Sequence, residues 1–262
     1  MSRAVILAIA PFLVIGCTAD PDGDGLTNKE EAELGTNPDL ADSDGDGIDD
    51  PTEIADGLDP LAADSDGDGL DDLVELDNGS DPLNRFSWPG DGMWPDNSDN
   101  YPGSDTYAMG EVFPDLVGKD KNREDISLSQ FYGHVVLLDF SAGWCPPCRA
   151  VAETAEEEWV EYREDGYVIV HAMVDGWQSP SAANNTFVNE WIEEFGLTFP
   201  VLGRGTIDDA STGLFQAGLN EGFIPYLILL DSEMRIDRIY EGAGNENQIR
   251  RRVERLLEDV EQ

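Results

Sequence analysis

Between Asp20 and Glu75 one acidic unit occurs three times at a fixed spacing of 22 residues: DPDGDGLTNKEE from Asp20, DSDGDGIDDPTE from Asp42 and DSDGDGLDDLVE from Asp64. Each unit places oxygen-bearing side chains at its positions 1, 3, 5, 9 and 12. These are Asp20, Asp22, Asp24, Asn28 and Glu31, then Asp42, Asp44, Asp46, Asp50 and Glu53, then Asp64, Asp66, Asp68, Asp72 and Glu75. Glycines hold positions 4 and 6, and position 6 is where a chain wrapping round a cation needs a sharp turn that a residue without Cβ can make. Calcium takes six to eight hard oxygen ligands on a flexible backbone, and carboxylates this crowded repel one another without a cation. The spacing therefore predicts calcium-binding loops with those side chains as ligands. Ten residues separate one loop from the next, and the apolar residue falls at position 7 (Leu26, Ile48, Leu70) rather than one later. That leaves no room for the two flanking helices of an EF-hand, so the region is expected to be an extended string of loops.

The repeats also account for much of the charge. The 262 residues include 56 acidic and 15 basic ones, for a net charge of −41 and a pI near 4.1. Between Asp20 and Asn84 there are 23 acidic residues against a single base, Lys29, which is 22 of the 41 net negative charges. A chain of this sign repels polyanions, which excludes nucleic acid as a partner. The hydrophobic fraction of 40% is enough for a real core, and it has to lie in the less acidic remainder.

The loop pattern resembles thrombospondin type 3 calcium repeats, including the recurrent Asn37-Pro38, Asp59-Pro60 and Asp81-Pro82 dipeptides, also 22 apart. Upstream, residues 1–17 read MSRAVILAIAPFLVIGC. The apolar run from Ala4 to Ile15 behind Arg3 is too short to span a bilayer, which needs about 20 residues, but it suits a signal-peptide core. Its end, Val14-Ile15-Gly16-Cys17, resembles the lipobox of bacterial lipoproteins. That resemblance implies a signal peptide over 1–16, lipidation of Cys17 and attachment to a membrane of the bacterial envelope, with the protein periplasmic or at the cell surface. Thr18 rather than Asp follows Cys17, which under enterobacteria-like sorting favours the outer over the inner membrane. On this division, 17–84 are calcium repeats and 85–106 a linker rich in Pro, Gly, Asp and Asn, in which Trp88 and Trp94 are unusual. Residues 107–262 form a second domain.

In that domain the apolar run HVVLLDFSAG (134–143) reads as a buried parallel strand. It leads into Trp144-Cys145-Pro146-Pro147-Cys148 and a helix through Tyr162. A second strand at 167–175, a helix around 183–195, strands at 225–231 and 235–242 and a terminal helix over 247–260 complete an α/β sandwich with a mixed central sheet. Two cysteines three apart at a helix N-terminus read as a redox pair. The helix dipole and free N–H groups there stabilise a thiolate, and the second thiol resolves the mixed disulfide. Half of a zinc site is the competing reading, but there is no second CxxC, and His134 and His171 are not spaced as its partners.

DFSAGWCPPC resembles the active-site segment of thioredoxin-like proteins, and WCPPC is typical of the TlpA/ResA-type thiol-disulfide oxidoreductases (redoxins). The resemblance covers about residues 107–262. The opening stretch MGEVFPDLVGKDKNREDISLSQFYGH and the helix with Phe199-Pro200-Val201-Leu202 agree with it. It implies a thioredoxin-like fold and a catalytic set of Cys145, Cys148, Asp139, Pro225 and Trp144, with no further cofactor than calcium in the repeats and a redox-active Cys145–Cys148 disulfide. Cys145 would attack, Cys148 resolve, Asp139 accept the proton of Cys148 from a buried site, and Pro225, in a cis bond, line the substrate groove. His171 stands where thioredoxins carry a Lys near the buried acid, as part of a proton relay or as a satisfied strand histidine.

Departures from the family bear on the direction of the reaction. Val151 takes the place of a Glu found in some members, and Ala142 stands where peroxiredoxins have Thr or Ser. Pro146 and Pro147 donate no N–H, which predicts a modestly lowered Cys145 pKa and a reducing couple. The expected function is a membrane-anchored thiol-disulfide oxidoreductase that reduces envelope proteins bearing disulfides and is itself re-reduced by an upstream electron donor. The alternatives are a calcium-dependent surface or adhesion protein using the domain as a scaffold, and a disulfide oxidase or isomerase.

Overall fold

The computed structural model describes residues 19–89, 93–178, 180–203, 205, 207–219 and 222–260; residues 1–16, expected to be a signal peptide, and Cys17, the expected lipidation site, lie outside them. Each acidic loop runs into one seven-residue helix: α1 (Asn28–Leu34), α2 (Asp50–Asp56) and α3 (Asp72–Asn78). Helices this short do not persist on their own, and their ends are fixed by side chains and glycine. Thr27 forms a capping box with Glu30, and Asp49 accepts from Thr52 N–H. Gly35, Gly57 and Gly79 close the helices at φ 94°, 86° and 84°, a region that disfavours any residue with a Cβ. Each helix starts at position 9, inside its own acidic unit, and runs only three residues past the unit's position 12, so one two-turn helix stands where an EF-hand would have two flanking helices.

The second domain is built on a mixed sheet of seven strands among the described residues. These are β1 (Val117–Lys119), β2 (Asp125–Ser127), β3 (Val135–Ala142), β4 (Tyr167–Asp175), β5 (Val201–Gly203), β6 (Tyr226–Leu230) and β7 (Ile236–Glu241), in the order β2-β1-β5-β4-β3-β6-β7. β3 runs parallel to β4, and β4 parallel to β5. β6 and β7 are antiparallel, as is the β1–β2 hairpin joined to β5. This is the expected α/β sandwich. All eight residues of β3 are buried, because α4 (Pro146–Tyr162), α5 (Asn185–Phe195), α6 (Ile207–Gln216) and α7 (Glu246–Val260) leave no open face at the sheet centre. β5 and α6 have no strand or helix assigned to them in the sequence reading. The three residues of β5 are too few for a period to show.

Residues 85–101, read as linker, lie against the domain where they are described. Trp88 is only 3% exposed, with its ring 5.8 Å from that of Trp159 and 5.1 Å from His134. Phe86 lies edge-on to His134 at 5.0 Å, Asn97 N–H donates to the Gln130 carbonyl at 3.0 Å, and the Tyr101 hydroxyl donates to the Phe113 carbonyl. The two unusual tryptophans thus have an apolar surface to cover: Trp94 is also packed on the core.

Candidate active site and calcium loops

The first turn of α4 creates the redox site. Cys145 is the N-cap, and the two prolines follow at the first helical positions, where a missing N–H costs the helix nothing. Their absent donors leave Cys148 N–H, at 3.2 Å, as the first-turn amide that donates to Cys145 Sγ. Cys145 and Cys148 are joined in a disulfide with Cα atoms 5.3 Å apart. Cys145 is 3% exposed and Cys148 fully buried, so the sulfur with any access to a partner is that of Cys145. The Ile224–Pro225 bond is cis, and it brings the Ile224 carbonyl oxygen to 3.6 Å from Cys145 Sγ. Trp144 is exposed and its indole N–H donates to Asp175 Oδ2 at 3.0 Å. Gly143, which joins strand to motif, has no space for a side chain: a Cβ would stand 2.6 Å from Phe187 and 2.9 Å from the Gly176 carbonyl.

Asp139, on β3 six residues before Cys145, is completely buried, and β-sheet register places His171 directly across from it on β4. Burial pushes the Asp139 carboxyl up to about 7, against the lowering effect of its bond to Ser141. The Ser141 Oγ is 2.7 and 2.8 Å from the two carboxyl oxygens. One hydroxyl proton serves one of those contacts, and a protonated carboxyl supplies the other, so the geometry accommodates both proton states. Burial pushes His171 down to about 3, which makes it a neutral imidazole. The Trp191 indole N–H donates to His171 Nδ1 at 3.3 Å. The ring proton therefore sits on Nε2, which faces Asp139 Oδ2 at 3.4 Å. Asp139 and His171 border a cavity of about 20 Å³ with Val151, Thr154 and Glu158, space for one water.

In the repeats the loops fold round their own carboxylates. Gly23, Gly45 and Gly67 N–H donate to Asp20, Asp42 and Asp64 at 2.7 Å each, and the position-6 glycines Gly25, Gly47 and Gly69 have φ between 98° and 109°. Oxygens of Asp20, Asp22 and Asp24 lie within 4.8 Å of one another, as do those of Asp42, Asp44 and Asp46, and of Asp64, Asp66 and Asp68. The residues fit a hard cation. Buried carboxylate oxygens of Asp22, Asp24, Glu31, Asp44, Asp46, Glu53, Asp66, Asp68 and Glu75 have no hydrogen-bond partner, nor has Asn28 Oδ1. Burial and then mutual repulsion push Glu53 and Glu75 each up to about 8. Asp50 and Asp72 are not gathered with the first three aspartates of their own loops. They lie with Asp24 and Glu31, and with Asp46 and Glu53, of the preceding ones.

Sequence reasoning did not single out Ser141, Trp191 or Asp175. Ser141 is two residues from Asp139, hence on the same face of the strand, and that spacing is a signal. Trp191 and Asp175 carry none, since only the packing of α5 and the end of β4 brings them to the site.

Residues 109–239 match the AhpC/TSA family, and residues 20–38 and 64–85 match the bacterial TSP3 repeat. The thiol-disulfide oxidoreductase ResA of Oceanobacillus iheyensis is 32% identical over 99 residues, 36% of this chain and 48% of that protein, so the chain spans about half of that relative. ResA of Geobacillus kaustophilus is 28% identical over 149 residues, 57% of this chain and 78% of that protein. Among solved structures, a thiol:disulfide interchange protein from Bacteroides sp. superposes with a TM-score of 0.46 at 23% identity, covering 56% of this chain and 91% of its own. A thioredoxin family thiol:disulfide interchange protein from Chlorobium tepidum gives 0.46 at 20% identity, covering 58% and 99%.

Proposed function

The chain belongs to the AhpC/TSA family, its C-terminal domain is a thiol-disulfide oxidoreductase, and from that premise we propose that the protein is an envelope-anchored reductase of protein disulfides. In the reduced state the Cys145 thiolate attacks one sulfur of a substrate disulfide, forming a mixed disulfide and releasing one substrate thiolate. Asp139 then takes the Cys148 proton, directly or through a water in the cavity beside His171. The Cys148 thiolate attacks Cys145 Sγ and releases the second substrate sulfur as a thiolate, which can take up the proton held by Asp139. Two electrons pass to the substrate and the Cys145–Cys148 disulfide remains, the state seen in this structure. A dithiol donor outside this chain restores the reduced pair. Exposed Trp144 and Phe223 flank the cysteine and the cis-proline and offer an extended peptide an apolar rim.

The observation that carries the direction is the first turn of α4. With Pro146 and Pro147 in place, Cys148 N–H is the first-turn amide donating to Cys145 Sγ, so the thiolate is less stabilised than at a helix start with free amides. A less stabilised thiolate makes the disulfide the more stable partner and the couple more reducing. Equilibrating the full chain with defined thiol-disulfide buffers tests this. A potential near that of thioredoxin, about −270 mV, is expected, and one near the strong oxidants at about −120 mV overturns the reductase reading.

Calcium in the three loops and lipid on Cys17 complete the proposal. The acidic loops present oxygens of the kind and number calcium takes, and they lie between the lipobox cysteine and the redox domain. When bound, calcium supplies the positive charge that lets these carboxylates be buried together. The repeats then act as a stiffened spacer that holds the redox site off the membrane surface, with envelope proteins as substrates.

A further inference from the structure

Asp50 is the ninth residue of the loop that begins at Asp42, but its carboxylate faces two ways. Toward its own loop it accepts from Ser43 N–H and from the Ser43 hydroxyl, at 2.8 Å each. Toward the preceding repeat it offers an oxygen within 4.8 Å of those of Asp24 and Glu31. Asp72 does the same one repeat later. It accepts from Ser65 N–H at 2.8 Å and the Ser65 hydroxyl at 2.6 Å, and it gathers with Asp46 and Glu53.

These gatherings hold acceptors only. Glu31, Glu53, Asp50 and Asp72 are fully buried, and neither carboxylate oxygen of Glu31 or of Glu53 has a hydrogen-bond partner. Asp24 Oδ2 and Asp46 Oδ2 are buried and unpartnered as well. Oxygens that all lie within 4.8 Å of one another can share one coordination sphere of about 2.4 Å radius, the calcium distance. Carboxylates buried together without donors either keep their protons or pair with a cation, and a cation lets all of them ionise at once. The sequence of the first unit adds a separate observation. Asp occupies position 9, and Ser position 2, in the two units that have a repeat before them. The first unit, which has none, carries Asn28 and Pro21 there.

We propose that each calcium site in this array is completed by the next repeat. Asp50 is a ligand of the site of Asp20, Asp22, Asp24 and Glu31, and Asp72 is a ligand of the site of Asp42, Asp44, Asp46 and Glu53. The Ser43 and Ser65 bonds hold each shared carboxylate in place from the side of its own loop. The third loop has no fourth acidic repeat behind it: Trp94 stands 22 residues after Asp72. There the chain entering the redox domain closes the loop. Asp96 N–H donates to the Asp68 carbonyl at 3.0 Å, and its backbone crosses Gly69 where a Cβ would be 3.4 Å away. The repeats therefore form a chain in which a site is complete only while the following unit is docked. Order propagates outward from the redox domain, and removing calcium frees the units from one another.

The inference rests on the reading that the loops bind calcium, and paired variants separate the two. Calcium binding to the full chain is measured by titration calorimetry, with the number of bound ions from native mass spectrometry. Asp50→Asn and Glu31→Gln are each expected to weaken one site at least tenfold, and the double variant to be no worse than the weaker single. Asp50→Asn with Glu53→Gln is expected to weaken two sites. Asp72→Asn with Glu53→Gln, weakening one, repeats the test at the next junction should the first repeat fail to fold. If Asp50→Asn instead combines with Glu53→Gln as a single site and with Glu31→Gln as two, the sharing is overturned while calcium binding stands. If the wild-type chain takes up no calcium at millimolar concentration, the calcium reading itself falls, and the sharing with it.

Discussion

Replacing Asp139 by Asn keeps the size of the side chain and an acceptor for Ser141 while removing the ionisable group. The carboxyl is completely buried, and burial moves its pKa from 3.8 to about 7. A folded-state pKa above the unfolded value means that the native state holds its proton longer. Stability from this group is fully present below about pH 4 and is lost as pH rises toward 7. A rise of about three units at 1.36 kcal/mol each gives roughly 4 kcal/mol as the full span. The neutral Asn escapes that loss. In denaturant unfolding of the oxidised full chain at saturating calcium, from pH 4 to pH 8, the stability of Asp139→Asn relative to wild type should therefore climb. The expected slope is about 1.4 kcal/mol per pH unit up to about pH 7, with a plateau above. The acidic loops are the same in both proteins and cancel in the difference. A difference that stays flat with pH would show Asp139 to be no more reluctant to ionise in the fold than out of it, and would refute its assignment as a base poised near neutrality.

Asp139→Asn should also slow release of the mixed disulfide about 10²–10⁴-fold, the usual worth of a positioned base, as read by stopped-flow reduction of a peptide disulfide. Removing the tautomer lock with Trp191→Phe should redistribute the His171 ring proton between Nδ1 and Nε2. Nitrogen chemical shifts of the ring report this directly, and unchanged shifts would mean that the 3.3 Å bond does not set the tautomer. Trp88→Ala should destabilise the redox domain by about 3–5 kcal/mol in thermal or denaturant unfolding, because an almost fully buried indole is deleted from the core. A loss below about 1 kcal/mol would show that residues 85–101 are not docked in solution.

The CxxC at a helix start, the buried strand before it and the donor-and-glycine period are patterns written in consecutive residues. Periodicity of side chains, the missing N–H of proline and the turn-forming freedom of glycine are local properties of the chain. The fold class, the cysteine pair and the candidate calcium donors were legible for that reason. The partners of Asp139 were legible only in part. Ser141 shares its strand face through the period of two, but His171 faces it by the register of β3 on β4, and Trp191 reaches His171 by the packing of α5. Trp88 and Phe86 read as linker because burial depends on a surface formed 46 or more residues later, by His134 and Trp159.

The repeats draw the same line most sharply. Their sequence alone determined which residues carry oxygens and at what interval, since composition and period belong to each unit by itself. Which loop a given carboxylate serves is decided by how one unit docks on the next. Asp50 and Asp72 stand in one repeat and face the unpartnered buried glutamate of the repeat before it. A local pattern fixes distances along the chain, whereas a coordination sphere is a set of distances through space, and only the tertiary structure sets those.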